Sequence, residues 1–514
     1  MTSFAEPLVA KSQDTAFFGH PAGLSTLFFT EMWERFSFYG LRAILILFMT
    51  APAAIGGLAW GVEKAGAIYG TYAASVYLMS LPGGWVADKV LGLRRSVFWG
   101  GVLIMCGQIS LAMLNSAVFF FPGLILIALG TGMLKPNISA LVGQLYSEKD
   151  VRRDAGFSIY YMGINVGATF SPLVCGWLAQ GEGFKHLLQG WGIDPATSWH
   201  WGFGFGATGM ALGLLQYVLT GKRLGDAGLT VLGAPTPEAL GAGRRKLLLG
   251  LGALVAVVVV LLGLSKAGVM TVTPTGISRA MDYLLTVVVV AFFVWLFSAG
   301  EWTRDERRRL IVITVLFAGA AVFWSAFEQA ASTLNLFAAR QTRNEILGIS
   351  YPASWLQSVN AFLIIVLAPV AGWVWLKLGP RDPSSPAKFS MGLFFLGMGF
   401  AVMILAAMAA SNGQPVSPLW LVLTYLCHTV GELCLSPVGL SAMTRLAPAR
   451  VTGLMMGVWF LATSVGNKIA GTVAGLYESF SLPTIFGTVT AIALFFALLM
   501  ALLVRPIKRM MARA

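Results

Sequence analysis

Four ionisable side chains, Glu31, Glu34, Arg35 and Arg42, interrupt an otherwise apolar run that opens LSTLFFTEMWERFSFYG and continues LRAILILFMT. If the run is a helix, about 100° per residue brings Glu31, Arg35 and Arg42 into a sector roughly 40° wide. Tyr39 falls beside them, and Glu34 borders the same face on the other side. Two carboxylates next to a guanidinium form a protonation switch. The fixed positive charge favours the ionised acid, while burial and the second carboxylate favour the neutral one. Closing a cavity around such a group can drive proton uptake or release. A static ion-pair cluster holding helices together fits the same spacing, and spacing alone does not choose between them.

Four more charges lie in apolar surroundings: Lys135, Glu328, Glu432 and Lys468. The eight together are four acids and four bases. Composition says what must hold them. The chain is 57% hydrophobic and 11% charged, against roughly 25% charged in an average soluble domain. Apolar runs near the length that spans a bilayer core recur along it, and fourteen such segments can be counted. An all-α polytopic membrane protein is the expected class, because a β-barrel would show short alternating segments. The first residues have no basic start, apolar core and small-residue cleavage site, so no secretory leader is expected. Cys106, Cys175, Cys427 and Cys434 sit in apolar runs without zinc spacing and read as small buried apolar residues.

The net charge of +13 invites a nucleic-acid partner, but its distribution argues against one. With the N-terminus placed in the cytoplasm, twenty-five of the 35 Lys and Arg residues fall on the cytoplasmic side, six on the outer side and four inside helices. That asymmetry follows the positive-inside rule and puts both termini in the cytoplasm.

Two polar stretches divide the chain, GKRLGDAGLTVLGAPTPEALGAGRRK after Thr220 and EWTRDERRR before Leu310. Between them lie two helices of almost pure aliphatic character, such as LLLGLGALVAVVVVLLGL, which belong at the periphery facing lipid. The expected organisation is an N-terminal six-helix bundle over 1–220, a linker with two accessory membrane helices over 221–309, and a C-terminal six-helix bundle over 310–514. Six plus six helices is the layout of transporters with a substrate site near the membrane midplane. The charges fall on the first, fourth, seventh, tenth and eleventh core helices. Charges in hydrocarbon cost about 2.5–3.5 kcal/mol each on insertion scales, so they normally face a bundle interior or a wet cavity.

The stretch E-x-x-E-R-F-x-F-Y-G resembles the E-x-x-E-R-F-x-Y-Y-G signature of the proton-dependent oligopeptide transporters, a family of the major facilitator superfamily. Further blocks are similar, in family order: FFGHPAGL at Phe17–Leu24, GGWVADKVLGLRR at Gly83–Arg95, GTGMLKPNIS, RRDAGFSIYYMGINVG, FWSAFEQ and GELCLSPVGLS. The two extra helices resemble the bacterial members. The resemblance implies a major facilitator fold with 6+6 helices plus two accessory helices. It implies proton-coupled import of di- and tripeptides across the bacterial inner membrane by alternating access, with no cofactor beyond the coupling proton.

Residue by residue, the resemblance assigns proton coupling to Glu31, Glu34, Arg35, Lys135 and Glu328. It assigns the peptide carboxylate to Arg35, Arg42 and Lys135, and the ammonium to Glu432. Asn165 and Asn360 would hydrogen-bond the termini or backbone. Tyr39, Tyr77, Ser436 and Trp459 would line the pocket. Asp88, Lys89, Arg94 and Arg95 would form a gating latch on the cytoplasmic side. Two departures stand out: Phe38 occupies a position where the family commonly has Tyr, and Lys468 has no counterpart in the pattern. Lys468 would either pair with Glu432 or snorkel to a polar surface. The expected partners are peptides, protons and membrane lipids, with no nucleic acid and with function as a monomer.

Rival readings within transport are uptake of another anion, such as nitrate or a modified amino acid, and drug antiport. Relatives that take other anions often alter the acids of the first helix, and Glu31 and Glu34 are both present. A membrane-embedded enzyme would need paired His for haem, a metal-ligand cluster or an acid dyad at a helix end. Four scattered His residues supply none of these.

Overall fold

In lipid every backbone polar group must be satisfied inside the chain, and long apolar runs accordingly become helices. The computed structural model describes residues 14–113, 117–147, 149–231, 233–298, 300–346, 348–448, 451 and 454–512. In chain order the helices are α1 (Ala22–Thr50), α2 (Val62–Leu78), α3 (Ser80–Val86), α4 (Leu93–Ala112), α5 (Ala117–Gln144), α6 (Arg153–Gln180), α7 (Glu182–Gly190) and α8 (Ser198–Thr220). The accessory pair is α9 (Pro237–Lys266) and α10 (Pro274–Ser298). There follow α11 (Arg304–Phe327), α12 (Thr333–Arg340), α13 (Ser358–Leu378), α14 (Ser385–Ala410), α15 (Leu419–Leu446), α16 (Met455–Gly475) and α17 (Leu482–Ala512). Among the described residues the strands are two short pieces, β1 (Glu345–Ile346) antiparallel to β2 (Ile349–Ser350).

Eleven helices among the described residues are long and apolar enough to cross a membrane. The other three expected spans fall short for reasons visible in their residues. α1 carries Glu31, Glu34, Arg35 and Arg42 within it, α2 has 17 residues, and α16 carries Asn467 and Lys468. α9 buries 0% of its most apolar stretch and α10 11%, as helices apolar all round would if lipid is their solvent.

The chain folds as two compact units that do not follow chain order. One gathers Met1–Leu41, Leu78–Cys175 and Trp199–Gly276; the other gathers Arg42–Tyr77, Gly176–Ser198 and Ile277–Ala514. Inside the first unit, Leu24, Leu27, Leu134, Ile138, Leu141 and Met210 form a core between α1, α5 and α8. Small residues let α4 and α5 approach closely: a Cβ on Gly100 would lie 2.7 Å from the Gly130 carbonyl oxygen. Inside the second unit, Phe323, Phe337, Phe389, Phe400 and Phe486 are fully buried, and α2 crosses α16 where Gly70 meets Gly471.

The cysteines depart from expectation in one respect. Cys175 and Cys434 are buried, Cys427 is half-buried, and Cys106 is exposed. Position 106 lies on the outward face of α4, which an apolar side chain can occupy against lipid as readily as in a core.

Candidate functional site

In the first unit, α1 presents Glu31, Glu34 and Arg35 fully buried, 1%, 0% and 2% exposed. The Arg35 guanidinium holds both acids. Its Nη2 donates to Glu34 Oε1 at 2.6 Å, its Nε donates to Glu34 Oε2, and Nε lies 3.2 Å from Glu31 Oε1. One base against two acids would leave a buried negative charge, which is expensive in low dielectric. Lys135, from α5, acts on Glu31 and restores the balance. The departure at Phe38 acquires a physical role: its ring lies under Arg35, 4.9 Å from the guanidinium carbon to the ring centroid, a cation–π contact.

Helix α6 closes against this cluster. Tyr160, Gly163 and Gly167 share one helical face. A Cβ on Gly167 would stand 2.3 Å from the Met32 carbonyl oxygen, and one on Gly163 3.1 Å from that of Phe28. The glycines therefore let α6 lie against α1 and deliver Tyr160, 5% exposed, to face Glu31. Asn165 is buried on α6, its Nδ2 donating to the Tyr161 carbonyl at 3.0 Å. Tyr39 is half-buried on α1 and acts on Arg35.

In the second unit a different cluster forms around Arg42. Its Nη2 lies 2.8 Å from Glu328 Oε2, and both residues are buried. Glu328 sits where α11 gives way to a single tight turn, Glu328–Ala331, before α12. On α12, Asn335 Nδ2 donates to the Ala43 carbonyl at 2.8 Å, fixing that break beside α1. Asn360 Nδ2 donates to Thr429 Oγ1 at 2.9 Å and to Glu432 Oε2 at 3.3 Å, so the expected Asn360 and Glu432 are neighbours. Glu328 and Arg42 both act on Glu432. Trp459 packs edge-on against Trp324 with centroids 6.3 Å apart, and Tyr77 lies 6.3 Å from Phe460. Ser436 is half-buried, and among the described residues its hydroxyl has no hydrogen-bond partner.

The basic loop residues lie elsewhere in the first unit. After the wide turn Ala87–Leu91, Gly92 takes a φ of 79°, a conformation that favours glycine. Lys89 Nζ donates to the Gly233 carbonyl at 2.8 Å, and Arg94 donates to the carbonyls of Ala227 and Gly225. The Asp88 carbonyl accepts from the Gly233 amide at 3.0 Å. Asp88, Lys89 and Arg94 thus meet the segment that follows α8, while Arg95 is exposed.

Lys468 corrects an expectation. Of the two alternatives, pairing with Glu432 is not what is found: its Nζ lies 2.7 Å from the half-exposed Asp282 Oδ1 on accessory helix α10 and 3.3 Å from Thr472 Oγ1. Sequence reasoning missed Asp282 because it lies at the edge of an apolar run. It also missed Tyr160, and Gln357, whose Nε2 donates to the Ala330 carbonyl at 2.6 Å and to the Tyr425 hydroxyl at 3.2 Å. Uncharged polar residues give no signal against an apolar background. His428 is buried against Phe327, Phe400 and Tyr425. Among the described residues no group of three or more His, Cys, Asp or Glu could hold a metal ion.

The profile of the POT family matches residues 94–492. The chain is 44% identical over 512 residues to the "Peptide transporter YePEPT" of Yersinia enterocolitica, covering 96% of each chain. It is 35% identical to a "Di-/tripeptide transporter" of Lactococcus lactis subsp. cremoris, over 97% of this chain and 98% of that one. A crystal structure of a peptide transporter POT in complex with sulfate superposes with a TM-score of 0.89 at 41% identity, over 98% of this chain and 99% of that one.

Proposed function

The chain belongs to the POT family, and from that premise we propose that it imports di- and tripeptides across the bacterial inner membrane by proton symport. Its fold is the major facilitator fold with two accessory helices between the halves. The observation that carries the coupling is the burial of Glu31, Glu34 and Arg35 as one charged cluster on α1. A proton held there is shielded from bulk water, and its arrival or departure changes the charge balance around Arg35 and Lys135.

In this reading Arg35 and Lys135 receive the peptide carboxylate, with Arg42 assisting, and Glu432 holds the ammonium. Asn165 and Asn360 bond the backbone or termini, and Tyr39, Tyr77, Ser436 and Trp459 border the side chains. Recognition of the two charged ends rather than the side chains gives a broad substrate range. The Arg42–Glu328 pair opens and closes during the cycle, and Asp88, Lys89, Arg94 and Arg95 act on the cytoplasmic side. Both termini face the cytoplasm, and the monomer is the working unit within the lipid. Inward movement of one net positive charge gains about 2.3 kcal/mol per 100 mV, enough to concentrate substrate.

Uptake of labelled dialanine into proteoliposomes, with and without an inward proton gradient, tests this. Accumulation with the gradient, and competition by unlabelled dialanine but not by nitrate or a lipophilic drug, is the expected result. Competition by nitrate or the drug alone would reassign the substrate.

A further inference from the structure

One atom of the buried cluster has no accounted role. Glu31 Oε1 lies beside Arg35, and Oε2 is buried with no close hydrogen-bond partner among the described residues; the Tyr160 hydroxyl acts on this carboxyl from α6. A buried carboxylate oxygen without a donor destabilises the ionised form. The groups facing Glu31 are Glu34 and Arg35 on its own helix, Lys135 from α5 and Tyr160 from α6. Arg35 is committed to both acids, and Lys135 is a donor only. Tyr160 differs in kind: a phenol donates to a carboxylate and accepts from a carboxylic acid, so it can serve Glu31 in both protonation states. Its hydroxyl stands 3.4 Å from Ser139 Oγ, on α5 one turn beyond Lys135. Tyr160 in turn is faced by Glu31, Arg35 and Ser139. Gly163 and Gly167 keep its ring against α1.

We propose that Tyr160 is a positioning residue for Glu31: its hydroxyl, steadied by Ser139, donates to Oε2 of the carboxylate and accepts from the carboxylic acid. The inference rests on the reading of Glu31 as a coupling group. The hydroxyl bonds more strongly to the anion than to the neutral acid, because charge-assisted hydrogen bonds are about twice as strong. Removing it therefore favours the protonated form of Glu31, and proton-driven uptake persists to higher pH.

Tyr160→Phe keeps the ring and its packing and removes only the hydroxyl. In proteoliposomes bearing the full-length protein, the pH midpoint of gradient-driven dialanine uptake should rise by about one pH unit, the scale of one hydrogen bond to a charge. Counterflow exchange at saturating dialanine should stay at the wild-type rate. Ser139→Ala should shift the midpoint the same way by less, and it decides the matter if Tyr160→Phe is not recovered folded. A purely structural tyrosine would lower both rates together without moving the midpoint. A midpoint that overlays the wild type, or moves down, overturns the proposal. Glu31→Gln, run alongside, separates the two levels. If it still accumulates dialanine on a gradient, the reading of Glu31 itself fails. If it does not, and Tyr160→Phe leaves the midpoint in place, only the role of Tyr160 falls.

Discussion

At the scale of single residues, the chemistry is a matter of which buried charge answers which. Glu31 and Glu34 share Arg35, whereas Glu328 pairs with Arg42, which also acts on Glu432. Among the described residues Glu432 accepts a hydrogen bond from the amide of Asn360 and keeps capacity for a cation. Glu432→Gln should therefore weaken binding of ordinary dipeptides at least tenfold, while binding of analogues lacking the amino group changes little. Titration of both ligand classes by isothermal calorimetry checks this, and equal losses would remove Glu432 from its role. Glu31→Gln and Glu34→Gln should abolish accumulation on a proton gradient and leave peptide exchange measurable; intact pH-driven concentration would reject the coupling role. That these charges are buried and paired was legible in the sequence, because a charge in an apolar run is conspicuous and must find a partner. The partners were less legible. Arg42–Glu328 joins residues far apart in the chain, and Lys468–Asp282 does too. Tyr160 carries no charge to mark it, and only the approach of α6 to α1 shows what it faces.

At the scale of elements, close helix approach sets where these side chains end up. Gly167 lets α6 rest on the backbone of α1, and a Cβ there would collide with the Met32 carbonyl. Gly167→Val should lower the melting temperature measured in detergent, with overpacking costing about 1–3 kcal/mol; an unchanged melting temperature would mean that the helices separate freely. The accessory helix α10 is tied through Asp282 to a lysine on α16 that is 3% exposed. Asp282→Asn leaves that lysine buried without a counter-charge. The loss should be about 1–3 kcal/mol, below the roughly 3–5 of fully buried pairs, since Asp282 is half-exposed. Asp282→Asn combined with Lys468→Met should recover most of the lost thermal stability, and a double variant no better than the single would dissolve the pairing. Sequence periodicity foretold that α9 and α10 stand apart as apolar helices. It could not foretell the tether, because one acid at the margin of an apolar run looks like a loop residue.

At the scale of the whole molecule, the arrangement of helices was readable from the chain. Apolar runs marked fourteen spans, eleven of which are long and apolar enough among the described residues, and the asymmetry of Lys and Arg set an expected orientation. The division into compact units was not readable, because α1 contributes to both and chain order cannot express that. The account's central claim is that peptide movement carries protons through a buried acid cluster. The most direct measurement traps a pH-sensitive dye inside proteoliposomes, applies an inside-negative potential and adds dialanine outside. The account predicts acidification of the lumen by the wild type on peptide addition and none by Glu31→Gln. Dialanine entry without acidification would contradict it.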